Sequence, residues 1–257
     1  MRRLLDQLVV GISYNELLDK DIDKIMKNER EFFIKKGFSV KENFMPNPDR
    51  SVSKRYVFSK DNIIINVTKR GIDVDVMAVE KYDGFESYKE YIAHIAEKIQ
   101  KKCDDSTDIF RIGVRKINRI IIKDIEKAHD YFNSDLVNYA SVNALLGENG
   151  GAVVEGGNHL SIANEKHKVN LITDTQIGNV KEVSDGVERT FNAYMLALDI
   201  DVYCDKSNKG FKNIGNKLSE LNDVASNIYL NCLTSEFKTK LETETDFNDG
   251  NIVGGIK

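Results

Sequence analysis

Cysteine and proline are scarce in this chain, and each scarcity excludes something. The three cysteines, Cys103, Cys204 and Cys232, are far apart and odd in number, with no CxxC pair. That excludes a zinc knuckle or a thioredoxin-like motif and makes a reducing cytoplasm the natural compartment. Only two prolines occur, Pro46 and Pro48, so no proline-rich linker divides the 257 residues. No stretch approaches the roughly 20 apolar residues of a membrane helix. The opening MRRLLDQLVVGISY has two arginines and a short apolar run, as a secretory leader would. Asp6 and Gln7 interrupt that run and no small-residue cleavage site follows, so it reads as a first strand. A basic excess is lacking too: 37 basic side chains stand against 41 acidic ones, a formal charge of −4. Proteins that neutralise phosphates normally show a basic surplus, which sets nucleic acid aside as the main partner.

Familiar catalytic signatures are also missing. His94, His129, His159 and His167 form no HxH, HExxH or HxxxH arrangement, so no metal site is expected. No serine lies in GxSxG. The glycine-rich Gly147–Gly157 lacks the GK[ST] ending of a P-loop and does not open a helix as GxGxxG would, so it reads as a flexible connector. Neither a cofactor nor an established catalytic residue is implied. Two arrangements depend on folding. His159 and His167 flank one hairpin, and Cys204 with His159 would make a nucleophile and base only if brought together.

Hydrophobic periodicity supplies the architecture. Leu8–Tyr14 is a strand; Asn15 caps a helix over Glu16–Lys36 that Gly37 ends. A loop through Pro46 and Pro48 leads to strands at Lys54–Ser59 and Ile63–Val79, joined by the turn Lys60-Asp61-Asn62 and broken at Gly71. Phe85, Tyr88, Ile92, Ile95 and Ile99 recur at helical spacing from a start at Asp83 or Gly84. Asp124–Phe132 reads as a helix, and Asp135–Leu146 as a shorter helix or loop. Strands follow at Asn158–Asn164, Lys168–Thr175 and Tyr194–Asp205, then a helix from about Phe211 to Phe237 with Cys232 on its apolar side. Residues 242–257, acidic and then glycine-rich, are expected to be a disordered tail. The fold class is α+β, an antiparallel sheet or sheets backed by amphipathic helices. Residues 1–241 form one domain whose halves, 1–103 and 104–241, share an element order that suggests a pseudo-duplication.

The most informative stretch is Phe110–Ile122, FRIGVRKINRIII. On a strand, Arg111, Arg115 and Arg119 share one face with Gly113 between the first two. Three guanidiniums there must meet carboxylates, a ligand or water. Asp199 and Asp201 share one face of the Tyr194–Asp205 strand, and Asp73 and Asp75 alternate in the same way. Cross-strand ion pairs on a wet surface are one reading, worth only about 0.2–1 kcal/mol each. An anion-binding groove of bidentate arginines is another. A buried protein interface is a third. The arginines stand about 13 Å apart along a strand, which suits an extended ligand or a protein surface.

FRIGVRKINRI resembles the hallmark strand, close to RIGLRYINRI, of a sporadically distributed bacterial family of unknown function. The KRYVFSKD strand, the YDGFESY helix start at Tyr82–Tyr88, and YMLALDIDVY followed by the Leu218–Leu233 segment are similar as well, over roughly Lys54–Leu241. Lys116 stands where the motif has an aromatic residue. The resemblance carries no catalytic residue or activity; its patchy distribution implies an accessory system, of the phage-defence or toxin–antitoxin type. The expected function is an intracellular, non-catalytic binding or adaptor protein that grips a protein or an extended anionic ligand. Arg111, Arg115 and Arg119 would be the positive element, organised by Asp199 and Asp201. On that reading Arg115→Ala weakens partner capture with little effect on stability. The alternatives are an enzyme of unfamiliar type acting on a phosphorylated or carboxylated substrate, and a holdase-like chaperone with an apolar groove. Oligomeric state is left open.

Overall fold

The computed structural model describes residues 4–46, 52–77, 82–102, 109–137, 155–184, 187–205, 211, 213–243 and 250–254. β1 (Leu5–Tyr14) is followed by α1 (Asp19–Lys35), β2 (Ser39–Pro46), β3 (Val52–Lys60), β4 (Ile63–Val67), β5 (Gly71–Met77) and α2 (Phe85–Lys102). Next come β6 (Ile109–Ile122), a 3-10 turn at Ile125–Lys127 and a one-turn helix, α3 (Ala128–Tyr131). Three long strands follow, β7 (Glu155–Ala163), β8 (Lys168–Ser184) and β9 (Val187–Asp205). Helices α4 (Ile214–Cys232) and α5 (Ser235–Thr243) and a short strand, β10 (Ile252–Gly254), complete the order.

The ten strands of the described residues join one antiparallel sheet, in the order β2-β3-β4-β5-β1-β6-β9-β8-β7, with β10 also paired to β6. The class is therefore α+β, with helices on one face. Alternation explains which face. Leu8, Val10, Ile12 and Tyr14 of β1 are buried, as are Ile112, Val114, Ile120 and Ile122 of β6 and Leu196, Leu198, Ile200 and Val202 of β9. Their odd-numbered neighbours turn to the other side. The helices bury stripes at three-and-four spacing: Tyr88, Ile92, Ile95 and Ile99 on α2, and Ile214, Leu218, Leu221 and Ala225 on α4. α1 packs on α2, α2 on α4, and α4 on β6 and β9. Phe33 of α1 anchors the β3 side of the core, its ring 5.2 Å from those of Phe32 and Phe38 and 4.3 Å from Phe58. His94 is structural: it stacks on Phe32 at 3.8 Å and pairs with Glu29 at 2.7 Å.

Turn chemistry behaves as the residues dictate. Lys60 pairs with Ile63 around Asp61 and Asn62, and Asp61 takes a φ of 47°. Gly37, at φ 87°, stops α1, with Phe38 N–H donating to the Phe33 carbonyl. Gly71 does break the run after Ile63: a Cβ there would lie 2.9 Å from the Ile12 carbonyl oxygen.

Several boundaries differ from the sequence reading. α1 begins at Asp19 with Leu18 in the cap position and no side-chain cap, so Asn15 is not its N-cap. Ser39–Pro46 is an edge strand rather than a loop; its residues are mostly exposed, so no apolar alternation marked it. Asp124–Phe132 is only a 3-10 turn and a single helical turn, with the Asp124 side chain capping Glu126 N–H. The last helix is two: α4 stops at Leu233, where the backbone turns extended, and α5 restarts at Ser235. β8 and β9 continue past Gln176 and Tyr194, where pairing to β7 and β6 ends, as a two-stranded ribbon reaching Ser184 and Val187. Cys103 and residues 138–154 lie outside the described residues.

The tail expectation also needs correction. Residues 250–254 are docked, with β10 taking the flank of β6 beyond the end of β1. Asn251 is the reason. It is buried; its side-chain oxygen accepts from Asp124 N–H at 2.7 Å, its amide donates to Tyr131 Oη at 3.1 Å, and its carbonyl accepts from Lys123 N–H at 2.8 Å. Residues 244–249 and 255–257 lie outside the described residues. Reading outward, the sheet runs β1-β5-β4-β3-β2 on one side and β6-β9-β8-β7 on the other. Strand order by itself does not establish the expected duplication. Asn251→Ala is expected to lower unfolding free energy by about 1–3 kcal/mol, because it removes the acceptor of Asp124 N–H and a bond to Tyr131 Oη. Urea denaturation of the variant beside the parent checks it; an unchanged midpoint would mean the tail is not docked.

Candidate functional site

β6 runs through the middle of the sheet between β1 and β9, and its odd-numbered residues occupy the face that carries no helix among the described residues. Arg111, Gly113, Arg115 and Arg119 are therefore side by side there, as the period of two requires. Asp199 and Asp201 of β9 share that face. In register, Arg115 stands opposite Asp201 and Ile117 opposite Asp199. The ion pairs run diagonally instead. Arg115 grips Asp199 with two bonds, Nε to Oδ1 at 2.8 Å and Nη2 to Oδ2 at 2.5 Å. Arg111 Nη2 lies 3.6 Å from Asp201 Oδ2, too far for a hydrogen bond, and its guanidinium sits 4.0 Å from the centre of the Tyr203 ring.

Arg119 does not join Asp199 or Asp201. It donates to Asp6 of β1. Strict alternation with Leu8 and Val10 would send Asp6 towards the helices. A bulge between Leu5 and Gln7 turns it onto the open face instead. The interruption of the apolar run by Asp6 was its one trace in the sequence.

Along this face, the centre of the sheet is hollow. Gly11 of β1 lies directly opposite Gly113 of β6, flanked by Asp73 on the β5 side and Tyr203 on the β9 side. Without side chains there, a recess of about 260 Å³ forms, walled by Val9, Ser13, Asp73, Arg111, Arg115 and Asp201. A Cβ on Gly11 would meet nothing within 4 Å, whereas one on Gly113 would come 3.2 Å from Tyr203 Cβ. The Arg115–Asp199 pair separates this recess from a second, of about 370 Å³, which runs past Ile117 and Arg119 towards His159 and Asp174.

Electrostatics distinguish the two sides of the central recess. On the β9 side, Asp199 is only 14% exposed and is neutralised by the Arg115 fork. The Asp199 hydrogen bonds in turn raise the pKa of Arg115 further. Burial holds Asp201 above the usual carboxylate range, although Arg111, Arg115 and an Asn170 hydrogen bond pull the other way. On the β5 side the neighbouring β1 carries no arginine opposite the acids, only Val9, Gly11 and Ser13, and the charge of Arg55 on β3 opposes the rise at Asp73 without cancelling it. Asp75 takes the Gln7 amide at 2.8 Å. Asp73 reaches solvent at the rim of the recess, yet lost hydration and the like charge of Asp75 raise its pKa.

The other chemistry considered from sequence does not assemble. Cys204 is buried on the helix side, its thiol 3.8 Å from the Ile112 carbonyl oxygen, and burial raises its pKa. His159 pairs opposite Ile172 on the open side, so the two cannot act as nucleophile and base. His167 is tied to Glu220 at 2.7 Å and His159 neighbours Ser161 at 3.4 Å, so the two histidines do not form a site. Among the described residues, no group of three or more His, Cys, Asp or Glu side chains could hold a metal ion. Compared with known proteins, the chain matches no family model and no curated protein.

Two measurements follow from this geometry. Arg115→Ala leaves a mostly buried Asp199 without its fork and is expected to cost about 1–3 kcal/mol, more than an exposed pair would. In a double-mutant cycle with Asp199→Ala, denaturant titrations should give a coupling of about 1 kcal/mol; additive effects would show the pair to be energetically idle. Asp73 supplies a pH dependence. Its raised folded pKa means that the folded state binds the proton more readily, so stability falls as pH rises from the ordinary carboxylate range through the folded value. Asp73→Asn should therefore be more stable than the parent at neutral pH. Discounted for solvent exposure, the gain is about 0.5 kcal/mol, vanishing below the ordinary pKa of about 3.9. Thermal melts across that pH range read the difference; a constant offset would contradict it.

Proposed function

We propose that the protein is a non-catalytic binding or adaptor protein that grips another protein on the uncovered face of its sheet. The observation that carries this reading is the recess floored by Gly11 and Gly113 at the centre of that face, ringed by charged side chains of both signs. A ten-stranded sheet with helices on one side leaves a broad, rigid surface, and a glycine-floored hollow suits a protruding side chain or an extended segment. Arg115 and Arg119 already hold carboxylates, so a partner would meet their outer edges, while Arg111 keeps hydrogen-bonding capacity over Tyr203. Acids are as prominent as bases here, with Asp73, Asp75, Asp199, Asp201 and Asp205 around the arginines. That balance favours a protein surface of mixed charge over a purely anionic ligand. The ribbon of β8 and β9 adds a projecting arm, and isolated two-stranded ribbons gain most from docking.

The resemblance of the arginine strand supports placing the protein in a bacterial accessory system of the phage-defence or toxin–antitoxin type. Two buried free thiols, Cys204 and Cys232, fit a reducing cytoplasm. No helix of the described residues is long and apolar enough to cross a membrane. An enzyme acting on a phosphorylated or carboxylated substrate is the second reading. It is favoured by Asp73 and Asp201, two carboxyls with raised pKa beside Arg111 and Arg115 in one recess. A holdase role gains no support, because the centre of the open face is polar.

Gly11→Phe separates binding from folding. Its ring would fill the recess, and the space above Gly11 is open, so the strand should fold as before. Tagged parent and variant would be purified from native cells and examined by native mass spectrometry. A stoichiometric protein on the parent that is lost from an equally stable Gly11→Phe variant is the expected result. A bare parent chain, or a partner retained by the variant, would remove the proposal.

A further inference from the structure

The helix side of β6 carries a second constellation, independent of the open face. Lys116, the residue that departs from the RIGLRYINRI-type motif, is only 8% exposed and points between the helices. Its Nζ donates to Ser226 Oγ at 2.6 Å and to the Asn222 carbonyl oxygen at 3.4 Å, both on α4. Beside it lies a cavity of about 250 Å³ between the start of β1, the start of α2 and one side of α4. By volume that is room for about eight waters. Leu4, Leu5, Phe85 and Leu230 make much of its wall apolar.

Two polar atoms of α4 in this wall are buried with no hydrogen-bond partner, Asn222 Oδ1 and the Tyr229 hydroxyl. The Leu4 backbone approaches the Tyr229 hydroxyl and opposes the rise, but burial raises its pKa on balance, so the hydroxyl stays a proton donor. Folded proteins rarely leave such atoms unpaired, and a cluster of them at one cavity marks where something else completes the bonding. The first residue of α2, Phe85, also lines the cavity, which brings the positive end of an 18-residue helix dipole to it. Glu86 in that first turn is paired with Lys89 and accepts from Ser219, so it is not an open competitor.

We infer that this cavity binds a small α-hydroxy carboxylic acid with an apolar side chain. The carboxylate accepts from Lys116 Nζ and Tyr229 Oη, and its arrival favours the charged lysine. The α-hydroxyl donates to Asn222 Oδ1. The aliphatic or aromatic side chain lies against Leu4, Leu5, Phe85 and Leu230. One donor set, one acceptor and an apolar wall match this class.

The test is isothermal titration of the purified full chain with phenyllactate and α-hydroxyisocaproate, beside the matching amides. Saturable binding of an acid, with the amide much weaker, is expected. Tyr229→Phe should weaken it about tenfold with little change in melting temperature, since that hydroxyl makes no well-formed hydrogen bond in the free protein. Lys116→Met should weaken it at least as much, and Leu230→Trp, which fills the cavity, should abolish it. Failure of both acids to bind the parent overturns the inference. So does equal binding of acid and amide, or full affinity in Tyr229→Phe, a variant whose fold does not depend on the missing group.

Discussion

The pairing of β1 with β6 at the centre of the sheet is the constraint on which the rest depends. These two strands meet with Gly11 opposite Gly113, Val10 opposite Val114 and Ile12 opposite Ile112. That register decides both faces at once, because a slip of one residue would exchange them. The apolar partners are driven against α2 and α4, and the same step leaves Arg111, Arg115 and Arg119 on the side where no helix of the described residues lies. Burial of Ile112, Val114, Ile120 and Ile122, each removed from water, far outweighs the weak ion pairs that the arginines make. The hydrophobic side sets the register; the charged side inherits it.

The charged side is then organised by reach rather than by register. Long guanidinium arms find carboxylates one step along the neighbouring strand, so Arg115 takes Asp199 although Asp201 is directly opposite. Arg111 is left at 3.6 Å from Asp201 and settles over Tyr203. The side chains missing at Gly11 and Gly113 open the gap these groups surround. Unequal neutralisation follows: β6 supplies cations to β9, but β1 supplies none to β5, so Asp73, partly desolvated and beside Asp75, is offset only by Arg55.

On the reverse of the same strand, Lys116 interrupts an otherwise apolar row, and α4 answers with Ser226 and the Asn222 carbonyl. A lysine among isoleucines is costly to bury unless its donors are used. Beside it α4, α2 and β1 leave a cavity, and polar atoms nearby remain incompletely satisfied. The strand thus faces a filled core along most of its length and a cavity at one point, with a charged open surface behind both.

By itself the sequence determined the elements whose apolar spacing is regular: β1, β6, β9, α2 and α4, the antiparallel α+β class, and the shared face of the three arginines with Gly113. Those follow from local periodicity, which any strand or helix must obey. Missed elements have no such pattern. β2 is solvated on both faces, the ribbon of β8 and β9 runs through mixed residues, and β10 is held by the polar contacts of Asn251 rather than by apolar side chains. Tertiary structure alone decided the partners. Asp6 reaches Arg119 only through a bulge, and Gly11 meets Gly113 only because strands about a hundred residues apart become neighbours. Cys204 and His159 fall on opposite faces for the same reason. Which side chains share a strand face is a matter of counting by two; which strands lie side by side is set by the packing of the whole sheet.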